Sequence, residues 1–201
     1  MLTYGWMLPF YIQEGDPPAK REILRAAMKL FSRHGLAATT IRDIADESGY
    51  TNPALYKHFS SKEELATYLF EICHRRLWTR CHAALNAAKS FDAKLEGYIS
   101  QVLELVDEDP EAMAFLSDSA RVLRPLAGPA VRRQTMIDLA RSLMSAAPLG
   151  RGRRSSVDVA AASLQGTLAE LARMIQIGDV PGPAVRWKAE LVGLFRKIAT
   201  A

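Results

Sequence analysis

The stretch that decides the fold is Thr40–Phe59, which reads TIRDIADESGYTNPALYKHF. In its first half an apolar residue recurs at positions 41, 44 and 45, which is the spacing of one helix face. Thr40 and Asp43 have the spacing of a capping box, which predicts that the helix begins there. Gly49 allows a sharp turn, because glycine adopts the left-handed backbone conformation without steric cost. A second short helix, capped by Thr51, is predicted to follow, so the stretch reads as helix, turn, helix.

The second of these helices has an outward face suited to contacting DNA. Leu55 and Phe59 lie one turn apart and are predicted to point inward. In a helix-turn-helix, the N-terminal residues of the second helix reach base edges in the major groove. Asparagine pairs with adenine and alanine contacts the thymine methyl group, whereas tyrosine and lysine suit phosphate oxygens. The side chains predicted to face outward are Asn52, Ala54, Tyr56, Lys57 and His58. The alternative interpretation is an ordinary helical hairpin with a solvated face.

A longer stretch carries a family resemblance. From Lys20 to Leu65 the chain reads KREILRAAMKLFSRHGLAATTIRDIADESGYTNPALYKHFSSKEEL. It contains LF-x-x-HG at 30–35, IRDIA at 41–45, ALY-x-HF at 54–59 and SKEEL at 61–65. With these motifs it resembles the DNA-binding domain of the TetR/AcrR family of bacterial transcriptional regulators. Two positions depart from the family pattern: Tyr50 replaces a smaller aliphatic residue, and Asn52-Pro53 stands where Lys-Gly is common. These departures bear on which operator is read, not on whether DNA is bound.

The resemblance implies a set of DNA contacts along this domain. Lys62 joins the set because it stands at the start of a long helix, where the helix dipole attracts phosphate. The predicted DNA-binding residues are Thr40, Arg42, Thr51, Asn52, Pro53, Ala54, Tyr56, Lys57, His58 and Lys62.

The pattern along the whole chain predicts an all-α fold. We expect an N-terminal extension over 1–16, packed through its aromatic residues on a neighbouring surface or mobile. A three-helix helix-turn-helix domain over 17–64 follows, its first helix capped by Asp16. Residues 65–201 are predicted to form a helical effector-binding and dimerisation domain. The predicted helices after the first domain run from 61 to about 88 and over 91–106, 111–123, 131–146, 157–177 and 183–199.

The resemblance implies that the second domain binds a small molecule that controls DNA affinity. Methionine and aromatic side chains suit a flexible apolar or amphipathic ligand, although the same residues also fill ordinary cores. The candidate pocket residues are Trp78, His82, Phe91, Tyr98, Met113, Phe115, Met136, Leu139 and Met174.

The last two predicted helices are candidates for a dimer interface. The final helix is apolar around much of its circumference, so it needs two surfaces to cover it or must lie wholly within its own core. The resemblance implies dimerisation through these helices, which suits a palindromic operator. The candidate interface residues are Leu164, Leu168, Leu171, Trp187, Leu191 and Phe195.

Composition fits a cytoplasmic globular protein. Of the 201 residues 49% are apolar and 24% charged, with a net charge of +4. No run approaches the ~18 apolar residues of a membrane span, and the N-terminus lacks the basic region of a signal peptide. Cys73 and Cys81 are each followed by histidine. Residues eight apart lie ~12 Å apart along a helix, too far for one metal ion, so we predict buried reduced cysteines and no metal site.

The sequence contains no G-x-S-x-G, H-E-x-x-H or dinucleotide-binding motif, so neither an enzyme nor a cofactor is expected. We predict a dimeric, sequence-specific transcription regulator that acts as a repressor. Its partners would be double-stranded palindromic operator DNA and an apolar or amphipathic effector that releases it from that DNA. The alternative is a non-specific or architectural DNA-binding protein with no effector.

Overall fold

A computed structural model describes residues 8–148 and 156–200, and their regular structure is entirely helical. The helices are α1 (Pro18–Ala38), α2 (Ile41–Ser48), α3 (Asn52–Tyr56), α4 (Lys62–Ala87), α5 (Phe91–Glu108), α6 (Pro110–Leu123), α7 (Pro129–Arg133), α8 (Met136–Ser145), α9 (Val157–Gln176) and α10 (Lys188–Thr200). A 3-10 turn, Ala184–Trp187, precedes α10. The all-α prediction is confirmed. None of the helices over 8–148 and 156–200 is both long enough and apolar enough to span a membrane.

The chain forms two compact units. Unit 1 contains the described residues up to His74 together with Glu111–Pro129. Unit 2 contains Arg75–Pro110 and the described residues from Ala130 onward.

The start of α1 differs from the sequence prediction. Asp16 does not cap this helix, because the cap position is Pro17, which offers no side-chain hydrogen bond. The Asp16 carboxylate instead accepts the Gln13 N–H (2.9 Å) and pairs with the Lys20 ammonium (2.8 Å). Near the other end of α1, Gly35 has a φ of 79°, which interrupts the helix before its last turn.

The described part of the N-terminal extension belongs to the core of unit 1. Phe10, Tyr11 and Ile12 are all buried. The prediction that the extension packs its aromatic residues is therefore confirmed for residues 8–16, and residues 1–7 lie outside the described part of the chain.

The helix-turn-helix forms as its local signals predict. The Thr40 hydroxyl accepts the Asp43 N–H (3.2 Å), and the Asp43 carboxylate accepts the Thr40 N–H (2.8 Å), which completes the capping box. Gly49 has a φ of 72°, in the left-handed region, and its N–H bonds back to carbonyls of α2. Thr51 occupies the cap position of α3 but makes no side-chain capping bond.

The segment Glu111–Pro129 packs into unit 1 through specific contacts. The Phe115 ring stacks on the Phe31 ring, with centroids 5.8 Å apart and planes 18° from parallel. Arg33 and Glu111 approach within 3.8 Å. The Glu71 carboxylate accepts the Gly128 N–H. Unit 1 is therefore assembled from two stretches that are distant in sequence.

Unit 2 contains one break that the sequence did not predict. The helix expected over 131–146 is divided, because α7 ends at Arg133 and Thr135 caps α8 by accepting the Asp138 N–H (3.2 Å). Elsewhere in unit 2 the Asp107 carboxylate, near the end of α5, accepts hydrogen bonds from the N–H groups of Ala184 (2.6 Å) and Val185 (3.0 Å). These bonds tie the start of the final helical segment to α5.

Candidate nucleic-acid interface

The short helix α3 buries one face and exposes the other. Leu55 and Phe59 are buried, as predicted. Tyr56 is 54% exposed, which is high for an aromatic side chain. The residues at positions 52, 53 and 57 are also exposed, and those at 54 and 58 are half-buried. The outward set predicted from the sequence therefore lies on one accessible surface, although its contacts with DNA stay a prediction.

Most lysine and arginine side chains of α1 are already neutralised by carboxylates. The ion pairs are Lys20–Asp16, Arg25–Glu22, Lys29–Glu47 and Arg33–Glu111. Because each of these cations faces an acid within the protein, α1 offers little net positive charge to a phosphate backbone.

The helix-turn-helix itself keeps two free cations. Arg42, near the start of α2, and Lys57, just after α3, are exposed, and neither forms an ion pair within the described residues. Unpaired exposed cations release counter-ions when phosphates replace their solvent partners. These two side chains therefore supply the unpaired positive charge of lysine and arginine between positions 39 and 59.

Two of the predicted DNA contacts have intramolecular partners. The Lys62 ammonium donates to the carbonyl oxygens of Leu36 and Thr39, both at 2.8 Å, and so satisfies the last turn of α1. The Thr40 hydroxyl belongs to the capping box. Sequence alone did not reveal the role of Lys62, because the end of α1 lies more than twenty residues earlier in the chain.

The predicted effector residues do not all lie in one unit. Met113 and Phe115 belong to unit 1. The other seven belong to unit 2, where Phe91, Tyr98 and Leu139 are buried and the rest are half-buried. The Trp78 ring stacks on the His82 ring, with centroids 4.4 Å apart.

A buried polar group lies at the centre of unit 2. Burial raises the pKa of the Tyr98 phenol well above its usual value. The Gln165 amide N–H donates to the Tyr98 hydroxyl and also to the Met136 carbonyl (3.2 Å). Gln165 is not among the residues predicted from the sequence, although an amide between small and apolar residues of a helix is the pattern of a buried polar contact.

A small recess opens on unit 2 among α4, α5 and α8. Its volume is about 100 Å³. The residues that line it are His82, Leu85, Asn86, Lys94, Leu139, Ser142 and Leu143. Of the predicted effector residues, only His82 and Leu139 are among them.

The cysteines are buried and unoxidised. Cys73 and Cys81 are both free thiols, as predicted. Burial raises the pKa of the Cys81 thiol to about 12, so it stays protonated near neutral pH. Over residues 8–148 and 156–200, no group of three or more His, Cys, Asp or Glu side chains is placed to hold a metal ion.

The predicted interface residues differ in burial. Leu164, Leu168, Leu191 and Phe195 are buried within the single chain, where their side chains pack against its own core, and their part in a dimer interface stays a prediction. Leu171 and Trp187 are half-exposed, and the Trp187 indole N–H donates to the Pro181 carbonyl (3.0 Å). The exposed large apolar side chains of α9, α10 and the segment between them are Val159, Ile177, Val185 and Leu194.

Comparison with known proteins identifies a matching family and related transcriptional repressors. Residues 23–69 match the family described as bacterial regulatory proteins, tetR family. The transcriptional repressor KstR2 of Mycolicibacterium smegmatis is 34% identical over 112 residues, which cover 55% of this chain and 55% of the relative. The chain therefore aligns with about half the length of the curated relatives it matches.

Solved structures share the whole fold. KstR2 of Mycobacterium tuberculosis, described as a ketosteroid transcriptional regulator, has a TM-score of 0.79 at 21% identity and covers 95% of this chain and 97% of its own. FadR of Bacillus subtilis, solved with stearoyl-CoA, has a TM-score of 0.66 at 16% identity over 88% of this chain and 97% of its own. With its helix-turn-helix and the family match, the segment 23–69 belongs to the family of bacterial regulatory proteins described as tetR.

Proposed function

We propose that this protein is a sequence-specific, homodimeric transcription regulator that represses its target genes by binding operator DNA. The observation that carries this function is the exposed surface of α3, together with the exposed and unpaired cations Arg42 on α2 and Lys57 just after α3. Relatives that share the helix-turn-helix are named transcriptional repressors, which supports the direction of control.

The side chains on this surface divide into two roles. Asn52 and Ala54 stand at the start of α3, where a recognition helix meets base edges, and they select the operator sequence. Tyr56, Lys57 and Arg42 bind phosphate oxygens and fix the position of the helix in the groove. Thr51, Pro53 and His58 shape the same surface.

Dimerisation places two such surfaces on one operator. Reading a palindrome requires a two-fold axis and half-sites about one helical turn, ~34 Å, apart. Because Leu164, Leu168, Leu191 and Phe195 are buried in the core of the single chain, we assign the interface to partly or fully exposed apolar residues of α9, α10 and the segment between them. The residues we assign to it are Leu171, Ile177, Val185, Trp187 and Leu194.

The effector is an apolar or amphipathic small molecule bound in unit 2. One structural relative is described as a ketosteroid regulator and another was solved with stearoyl-CoA. A ketosteroid is largely apolar, whereas stearoyl-CoA is amphipathic, with an apolar acyl chain on a charged nucleotide. In unit 2 the effector would contact the residues predicted there, including Phe91 and Tyr98. Since these two are buried, ligand entry must displace core side chains, and this couples binding to a change in conformation.

The experiment that tests the function is selection of bound sequences from a random DNA pool at near-physiological salt, where non-specific phosphate contacts are weakened. An enriched inverted repeat is the expected result. An unenriched pool, obtained with folded protein that was stripped of bound small molecules, would favour a non-specific or architectural DNA-binding protein.

Two variants sharpen this test. Asn52→Ala is expected to relax base preference at one position of each half-site, because an amide–adenine pair contributes ~1–3 kcal/mol of discrimination. Tyr56→Phe removes only a hydroxyl and is expected to weaken binding evenly across sequences. If Tyr56→Phe changes the preferred base, the phosphate role assigned to Tyr56 is wrong.

A further inference from the structure

We infer that the recess between α4, α5 and α8 is a binding site for an anion, either a small free carboxylate or phosphate or the anionic end of a larger ligand. The chemistry of its walls points to this class of ligand. Four lining residues are polar and can donate hydrogen bonds: His82, Asn86, Lys94 and Ser142. No Asp or Glu lines the recess among the residues that the structure describes.

The cation at this site is Lys94. Within the described chain Lys94 forms no ion pair, although acids stand close to it on α5. Asp92 is bound by Arg196 (2.8 Å), and Glu96 is bound by Lys188 (3.1 Å). The acids that flank Lys94 in sequence are therefore already occupied, and Lys94 keeps its charge for a ligand.

The third acid in the region is also occupied. Asp138 lies one turn before Ser142 on α8, and its carboxylate is taken by Arg141 (3.0 Å) and by the Thr135 hydroxyl. Arg141 is shared between this carboxylate and that of Asp158 (2.7 Å). Neither acid lines the recess, and among the residues that do line it Lys94 carries the positive charge.

The remaining polar groups are arranged to donate. The Asn86 amide nitrogen lies 3.2 Å from His82 Nδ1 and 3.3 Å from Nε2. A neutral imidazole has one acceptor nitrogen, so at most one of the two Asn86 N–H groups donates to it and the other is left for a ligand. Stacking on Trp78 holds the His82 ring in place. Leu85, Leu139 and Leu143 form apolar walls beside Lys94, which strengthens a charge-assisted hydrogen bond made there.

Volume limits what the recess can hold. It measures about 100 Å³, whereas pockets that enclose drug-sized ligands measure roughly 300–1,000 Å³. A carboxylate or phosphate group with a few attached atoms fits, but a whole steroid or acyl chain does not. This inference goes beyond the proposed DNA binding and stands if operator selection fails, because it concerns unit 2 alone.

The test is an NMR titration of the full-length protein with sodium phosphate and, separately, sodium acetate, at constant ionic strength balanced with chloride. We expect saturable shifts of the Asn86 side-chain amide and of the Ser142 backbone amide. Lys94→Gln should raise the dissociation constant by about tenfold, the loss typical of one charge-assisted hydrogen bond. The matched control is Lys89→Gln, an exposed lysine outside the recess, which should change it less than about twofold.

A second variant guards against a trivial loss of binding. Ser142 is exposed, so Ser142→Glu should fold normally and place a carboxylate in the recess, which abolishes anion binding. Shifts that stay linear without saturation, or equal effects of Lys94→Gln and Lys89→Gln, would overturn the proposal. The ratio of phosphate to acetate affinity identifies the preferred anion. If octanoate binds more tightly than acetate, and if its binding is also weakened by Lys94→Gln, the recess is the end of a longer ligand site.

Discussion

Lys57→Gln is the sharpest test of the proposed DNA surface. Lys57 is exposed just after α3 and forms no ion pair within the described residues. Lys29 serves as the comparison, because its side chain is partly exposed (39%) but pairs with Glu47. Both substitutions to glutamine remove one positive charge from each subunit, so they change the net charge identically. They differ in whether the lost charge was free to meet a phosphate.

The size of the effect follows from counter-ion release. Each neutralised phosphate contributes ~0.9 to the slope of log affinity against log salt concentration. A dimer carries Lys57 twice, so Lys57→Gln should lower the magnitude of the slope by ~1.8. As the salt concentration rises from about 50 to 200 mM, a slope difference of ~1.8 lowers the ratio of wild-type to variant DNA affinity by ~12-fold. Lys29→Gln should leave the slope within ~0.4 of wild type, since its charge is already balanced.

The measurement is fluorescence anisotropy with a labelled duplex carrying the selected operator, repeated at four or more salt concentrations. Equal slopes for the two variants would refute the reasoning, because they would show that DNA senses only the net charge of the protein. If Lys29→Gln lowers the salt slope more than Lys57→Gln does, the phosphate contacts lie on α1. Circular dichroism at each salt concentration verifies that both variants remain folded.

Substitutions at four further side chains have measurable expected effects. Lys62→Met should lower the free energy of unfolding by ~1–3 kcal/mol in urea titrations and leave the salt slope of DNA binding unchanged, because its ammonium caps α1. Burial, with a smaller contribution from the charge of Arg124, lowers the pKa of His74 from 6.5 to about 4. Between these two pH values the unfolded chain therefore binds more protons than the folded chain. The free energy of unfolding should fall by ~2–3 kcal/mol as the pH drops from ~6.5 toward 4. Urea titrations across that range should show this loss in the wild type and not in His74→Leu. In analytical ultracentrifugation Leu194→Glu should give stable monomers, because Leu194 is 46% exposed. Phe195→Ala, at a fully buried position, should instead cost ~3–5 kcal/mol of stability.

The helix-turn-helix was predictable because its signals are local. A capping box at Thr40 and a glycine at position 49 act within a few residues, and the structure contains both features as expected. The inward positions of Leu55 and Phe59 follow from helical periodicity alone. The family resemblance added the expected identity of the domain, which the match over 23–69 supports.

Features that depend on distant residues were not predictable in the same way. An apolar helix face looks the same in sequence whether it meets its own core or a second chain, and so Phe195 was assigned to an interface although it is buried in the single chain. A lysine at a helix start suggests a phosphate contact, but Lys62 meets the carbonyls at the end of α1. The break before α8 depends on Thr135, whose capping role competes with helix continuation at a position where periodicity alone favours one long helix.

The stacking of Phe115 on Phe31 has a consequence for exchanging parts between related proteins. A chimaera made by grafting residues 17–64 onto another scaffold would carry Phe31 and Arg33 without the partners that α6 supplies to them. Transfer of operator preference is therefore better attempted by substituting the exposed residues of α3 alone. Recombination during evolution faces the same constraint, because a crossover between positions 74 and 111 separates the two stretches that together make unit 1. We expect inherited changes in operator choice to arise by point substitution on α3 more readily than by exchange of the whole segment.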